Sequence, residues 1–176
     1  MAECIRFRLN GNPATASPTS SETLLSFLRG TADLTGTKKG CDSKSCGACT
    51  VLVDGKARKA CSVRLSSVHG RHVETIEGLA IKGKLHPIEE AFLATGAYQC
   101  GFCTPGMIMA ILGLLNENPD PTVAQIKRAL RSNLCRCTGY SSIIEATKLS
   151  ARMLRSPHGW PGYLHHGRVG ESPADV

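Results

Sequence analysis

The sequence predicts an α+β chain, a small strand-rich half built around one helix, followed by a half made of four short helices. Three observations carry this. Apolar and polar residues alternate in short runs separated by Asn-Gly and Asp-Gly before about Ile76. After Gly83 the punctuation is that of helices, with Thr, Ser and Pro at the starts. Eight of the nine cysteines fall into two groups of four, one in each half. We place the boundaries at residues 1–78, 79–155 and a tail, 156–176.

The first half reads as follows. Ile5, Phe7 and Leu9 share one face of a strand, leaving Cys4 on the other, and Asn10-Gly11 supplies a two-residue turn. Ser20 or Ser21 can cap a helix carrying Leu24, Leu25, Phe27 and Leu28, which Gly30 ends. Thr50–Val53 and Lys56–Val63 form a hairpin about Asp54-Gly55, and His72–Ile76 is a last strand. In the second half, Pro87 suits the first turn of a helix bearing Ile88, Ala91, Phe92 and Leu93. Thr104-Pro105 opens a second helix, which stops before Asn118-Pro119. Thr122 with Gln125, and Ser142 with Glu145, are capping boxes for a third helix ending near Arg131 and a fourth ending near Leu154. The tail is rich in Gly, Pro and His and has no periodicity.

The first cysteine group is Cys41, Cys46 and Cys49, then Cys61. Its C-x4-C-x2-C order matches the loop of plant-type 2Fe-2S ferredoxins. Gly40 and Gly47 let the backbone approach such a cluster closely. A turn at Asp54-Gly55 pairs Val53 with Lys56, and counting back sets Cys49 opposite Ala60, so Cys61 returns beside Cys49. Structural zinc prefers paired C-x2-C knuckles, which the x4 gap fits poorly. The second group is Cys100 and Cys103, then Cys135 and Cys137. Cys100 and Cys103 precede a helix N-terminus, whose dipole favours net negative charge. In extended chain the two sulfurs of a C-x-C point to one side. On spacing alone this group also suits zinc.

The formal charge is +7. Two clusters of about −2 each would bring that to about +3. The cations are scattered and no aromatics are interleaved with them, so a nucleic-acid partner is not expected. The N-terminus reads as a strand and not as a signal peptide, and the longest apolar run, Met107–Leu115, is too short to span a bilayer. A reducing cytoplasm is therefore expected, which also argues against a disulfide framework. Met107 and Met109 read as core, His165 and His166 as solvated, and no Ser/His/Asp or paired-carboxylate arrangement stands out.

The segments GCDSKSCGACTVLVDG with Cys61, QCGFCTPGMIM and NLCRCTGY together closely resemble the small iron–sulfur subunit of the molybdenum hydroxylases, the xanthine oxidase family. The resemblance covers about Ile5 to Leu154. It implies an N-terminal β-grasp ferredoxin domain, then a four-helix-bundle domain, each with a 2Fe-2S cluster, and so favours iron–sulfur over zinc at the second group. It implies a large partner subunit holding molybdopterin and usually a medium subunit holding FAD. The cluster of Cys100, Cys103, Cys135 and Cys137 would then lie near the pterin, with Gln99 and Cys137 meeting it at the interface. The cluster of Cys41, Cys46, Cys49 and Cys61 would face the flavin or another acceptor. The chain would be an electron-transfer subunit without a substrate site of its own. A free-standing two-cluster ferredoxin is the alternative, and a zinc-stabilised interaction module a more remote one. The tail segment Arg168–Ser172 faintly resembles the linker into the molybdenum domain of single-chain members, and the tail is expected to lie along the large subunit.

Overall fold

A computed structural model describes residues 4–19 and 21–156. The expectations for the tail, including Trp160, Tyr163, His165 and His166, lie outside the described residues, as does Ser20.

The strands are β1 (Ile5–Leu9), β2 (Asn12–Ala16), β3 (Thr50–Val53), β4 (Lys56–Lys59) and β5 (His72–Glu74), in the order β2-β1-β5-β3-β4. Only the β1–β5 pairing is parallel. Helix α1 (Leu24–Gly30) covers one face of the sheet. Leu24, Leu25, Phe27 and Leu28 from α1 form a core with Ile5, Phe7, Val51, Val53 and Val73. Within it, Phe7 and Phe27 meet edge to face at 5.6 Å between ring centroids. The cap of α1 is Thr23, whose side chain accepts from Ser26 N, and not Ser20 or Ser21. An N-cap must lie within one turn of the first helical N–H groups, and the serines sit too far upstream. The second strand of the central hairpin stops at Lys59, because Ala60–Ser62 turns into a 3-10 helix. Likewise β5 ends at Glu74, and Ile76–Gly78 is a 3-10 turn.

Helices α2 (Pro87–Ala94), α3 (Thr104–Glu117), α4 (Val123–Leu130) and α5 (Ser141–Arg155) follow. They enclose a second core around Ile88, Phe92, Met107, Ile111, Ile126 and Ile143. Thr122 and Gln125 form the expected reciprocal cap on α4. The start of α5 differs from expectation. Its cap is Tyr140, in the left-handed region at φ 70°, and no side chain of the Ser142–Glu145 pair caps it. Instead α2 carries a capping box of His86 and Glu89.

Strand β3 joins the two cores. Its Val51 and Val53 point into the first, while Leu52 points into the second. All four of its residues are buried, Thr50 with its hydroxyl donating to Gly47 O at 2.7 Å. The helix that covers its other face is α3, which comes in close because its contact stripe is smooth. Gly106 and Gly113 lie two turns apart on one face of α3. A Cβ on Gly113 would lie 2.9 Å from Ala57 N on β4, and one on Gly106 would lie 2.6 Å from Gly47 O.

Candidate iron–sulfur centres

The first cysteine loop, residues 40–49, runs from α1 to β3. Its backbone turns at Lys44 (φ 58°) and Gly47 (φ 72°). Gly47 has no alternative, since a Cβ there would collide with the Ser132 carbonyl of the other half. Lys59 Nζ reaches back from β4 to donate to Lys44 O at 3.1 Å and Ser45 O at 3.0 Å. The register deduced from the Asp54-Gly55 turn is present. Thr50 pairs with Lys59, and Ala60 N donates to Cys49 O at 3.0 Å. Cys61 then enters the 3-10 turn beside Cys49.

The second group is assembled from two loops. Cys100 and Cys103 precede α3, with Cys103 at its cap position and Pro105 in its first turn. Cys135 and Cys137 lie between α4 and α5. Tyr140 shapes this loop. Its hydroxyl accepts from Cys135 N and donates to Asn133 O, both at 2.8 Å. Thr138 places its hydroxyl 3.1 Å from Cys135 Sγ and donates its N–H to the same sulfur at 3.4 Å.

Within each group the sulfurs meet in pairs. Cys41 hydrogen-bonds with Cys46, and Cys49 with Cys61. Cys103 pairs with Cys135, and Cys137 Sγ lies 3.7 Å from Cys100 Sγ. Two pairs per group is the donor set that two irons need, one pair to each.

The protonation pattern points the same way. The Cys46 N–H and thiol donate to Cys41 and hold it down to about 6. Burial pushes Cys46 up, and it pushes Cys49 up to about 11. In the second group burial pushes Cys103 up to about 12, and its hydrogen bond to Cys135 adds to the rise. Burial also pushes at Cys135, but hydrogen bonds from Thr138 and from Cys137 N–H outweigh it and hold Cys135 below its ordinary value. Cys137 is raised by its bond to Cys100. Each group thus holds thiols that retain protons beside one that gives its proton up readily. Cations bound there would displace those protons and relieve the crowding of sulfur. The donors fit 2Fe-2S clusters in both places.

Cys4 stands apart from both groups and is exposed. Gln99 is exposed beside Cys100. Around the second group Tyr98, Phe102 and Leu134 are exposed, Leu134 by 63%. The residues that sequence reasoning passed over are Lys59, Thr138, Tyr140 and Asn133. Thr138, Tyr140 and Asn133 flank the C-x-C, which marks their place but not their roles.

These features define a 2Fe-2S iron–sulfur protein with two centre-binding segments. The 2Fe-2S iron-sulfur cluster binding domain family matches residues 7–75, and the 2Fe-2S binding domain family matches residues 75–148. One of the subunits of nicotinate dehydrogenase from Pseudomonas putida is 40% identical over 89% of this chain and 100% of its own length. The small subunit of nicotine 6-hydroxylase from Paenarthrobacter nicotinovorans is 45% identical, over 81% of this chain and 86% of its own. The crystal structure of quinoline 2-oxidoreductase from Pseudomonas putida 86 superposes with a TM-score of 0.80 at 38% identity, covering 87% of this chain and 96% of the matched one. Of aldehyde oxidase 2 from Mus musculus, by contrast, the chain spans 12%. The chain belongs to the small 2Fe-2S subunits of the molybdenum hydroxylase family. It is an electron-transferring component of an oxidoreductase.

Proposed function

We propose that this subunit relays electrons one at a time between the molybdopterin of a large subunit and a flavin or other acceptor. One 2Fe-2S cluster would be held by Cys41, Cys46, Cys49 and Cys61, and the other by Cys100, Cys103, Cys135 and Cys137. The observation that carries the reading is the gathering of all eight thiols into four sulfur pairs, two in each half. A bound 2Fe-2S cluster supplies one-electron exchange, which splits a substrate's electron pair into single steps. The polypeptide supplies eight thiolates, backbone N–H groups toward sulfur, and a fixed separation between the centres.

The exposed apolar rim of Tyr98, Phe102 and Leu134 around Cys100 and Cys137 supports placing the pterin subunit there, with Gln99 at the contact. The first centre would then face a medium FAD subunit. We read residues 1–78 as a β-grasp ferredoxin domain, supported by the mixed sheet over α1, and 79–155 as a four-helix-bundle domain. Among the described residues no helix is long and apolar enough to cross a membrane. We read the compartment as the cytoplasm, whose reducing conditions keep thiols available as ligands.

Isolation of the native complex tests the proposal. The expected result is about four irons and four sulfides per chain, with two distinct 2Fe-2S signals in EPR after reduction. Cys46→Ser should perturb one signal and Cys103→Ser the other. A colourless protein with zinc at either group would overturn it.

A further inference from the structure

The two cysteine groups are joined by a hydrogen bond. Leu134 N donates to Cys46 O at 2.8 Å. From Cys46 Sγ a bonded route therefore runs through that residue's own carbonyl, across this bond, and along one peptide unit to Cys135 Sγ. The neighbouring Asn133 is 5% exposed. Its Nδ2 lies 2.9 Å from Gly47 O, 3.1 Å from Thr50 Oγ1 and 3.1 Å from Gly106 O, three acceptors that share its two N–H groups. Three acceptors on three separate segments, the first cysteine loop, β3 and α3, thus converge on one amide. On the far side its own carbonyl accepts from Tyr140, which shapes the second cysteine loop.

We propose that Asn133 is a positioning residue for electron transfer between the two centres, holding the Leu134 N–H against the Cys46 carbonyl and so keeping that bridge closed. This rests on the functional reading above. In the step assisted, one electron leaves the reduced cluster, whose ferrous ion becomes ferric, and one ferric ion of the other cluster becomes ferrous. No proton and no bond is exchanged. An amide suits the task better than a carboxylate, because all three groups facing Nδ2 present oxygen.

The test uses the native complex carrying Asn133→Ala, with three readouts. These are hydrogen exchange of the peptide containing Leu134, the EPR signals and midpoint potentials of both centres, and the rate of transfer between centres after rapid one-electron reduction. Exchange at Leu134 is expected to rise at least about tenfold, as loss of buried hydrogen bonds frees the loop. The transfer rate should fall about twofold or more, scaling with the fraction of molecules in which the bridge is closed. Both spectra and both potentials should stay as in the wild type. Wild-type transfer in a variant with both centres intact overturns the proposal, whether or not exchange has changed. Should Asn133→Ala fail to assemble, Thr50→Val removes one of the three acceptors, together with that hydroxyl's own 2.7 Å bond to Gly47 O, and leaves Asn133 in place. It should slow transfer in the same direction, and an unchanged rate again overturns the idea. A wild-type complex lacking two 2Fe-2S signals would instead sink the functional reading, which is a separate outcome.

Discussion

Arg136 sits between the two cysteines of the C-x-C, is exposed, and forms no ion pair among the described residues. Its charge is therefore free to stabilise the reduced, more negative form of the adjacent cluster. Arg136→Ala should lower the midpoint potential of the second centre and leave the first nearly unchanged, which an EPR-monitored titration checks. Lys39, next to the first loop, makes an instructive contrast. Its Nζ is 2.8 Å from Asp42, which cancels most of its field, so Lys39→Ala should shift the first centre less. Lys39 and Arg136 are both visible in the sequence as candidate tuners, but which of them is already paired is not. Pairing depends on how the chain between Lys39 and Asp42 turns in the folded loop, which residue types alone do not decide. Asn133 was hidden for a similar reason. All three acceptors of its amide are brought near by tertiary packing, and an asparagine before a cysteine reads as an ordinary loop residue.

At the scale of elements, what could be read was what local rules decide. The two-residue turn at Asp54-Gly55 fixes the register that puts Cys49 opposite Ala60, and the Thr122–Gln125 box marks α4 because both partners lie within one turn. The start of α5 could not be read, because Tyr140 is held in the left-handed region by its hydroxyl's bonds to the cysteine loop and not by any helical preference. The His86 cap was missed because histidine is not a favoured cap and acts here only as a neutral acceptor. Its Nδ1 accepts from Ile88 N at 3.2 Å, and burial holds its pKa down to about 4. This has a signed consequence. In the unfolded chain His86 titrates near 6.5. Between there and about 4 the unfolded state binds the extra proton, so the stability due to neutral His86 is full above about 6.5 and is lost as pH falls through that window. The loss is roughly 3 kcal/mol once pH is below both values. Glu89, pushed up by burial, acts in the opposite direction, so the comparison with a variant is the informative one. His86→Ser keeps a cap without the titration. Its deficit in melting temperature at pH 7 should shrink markedly by pH 5.

For the whole molecule, the sequence suggested two halves with a boundary near residue 78, while in the structure Leu52 and Ile76, from before that boundary, pack with the helices. What it concealed was how firmly they adhere. Gly113 in α3 gives no hint of Ala57 on β4, since a glycine in a helix is legible as a weakness and not as a contact. Because Leu52 and the buried face of β3 require α3, a fragment comprising residues 1–78 should expose a broad apolar strip and associate. Light scattering on that fragment, loaded with iron and sulfide, should report oligomers or aggregate, whereas the full chain should melt in one cooperative transition with both halves together. A stable monomeric fragment would mean that β3 tolerates solvent on one face.

Strand β3 begins at the residue after Cys49 and is gripped from both sides. The thiols of the first group are thereby anchored to the same rigid rod that α3 presses on, and α3 begins at the residue after Cys103. An electron passing between clusters held at the two groups would therefore cross a gap set by packed elements, as insensitive to conditions as the thickness of a helix. Within such a gap, the contact that Asn133 holds and the charge of Arg136 would remain the adjustable parts of this chain.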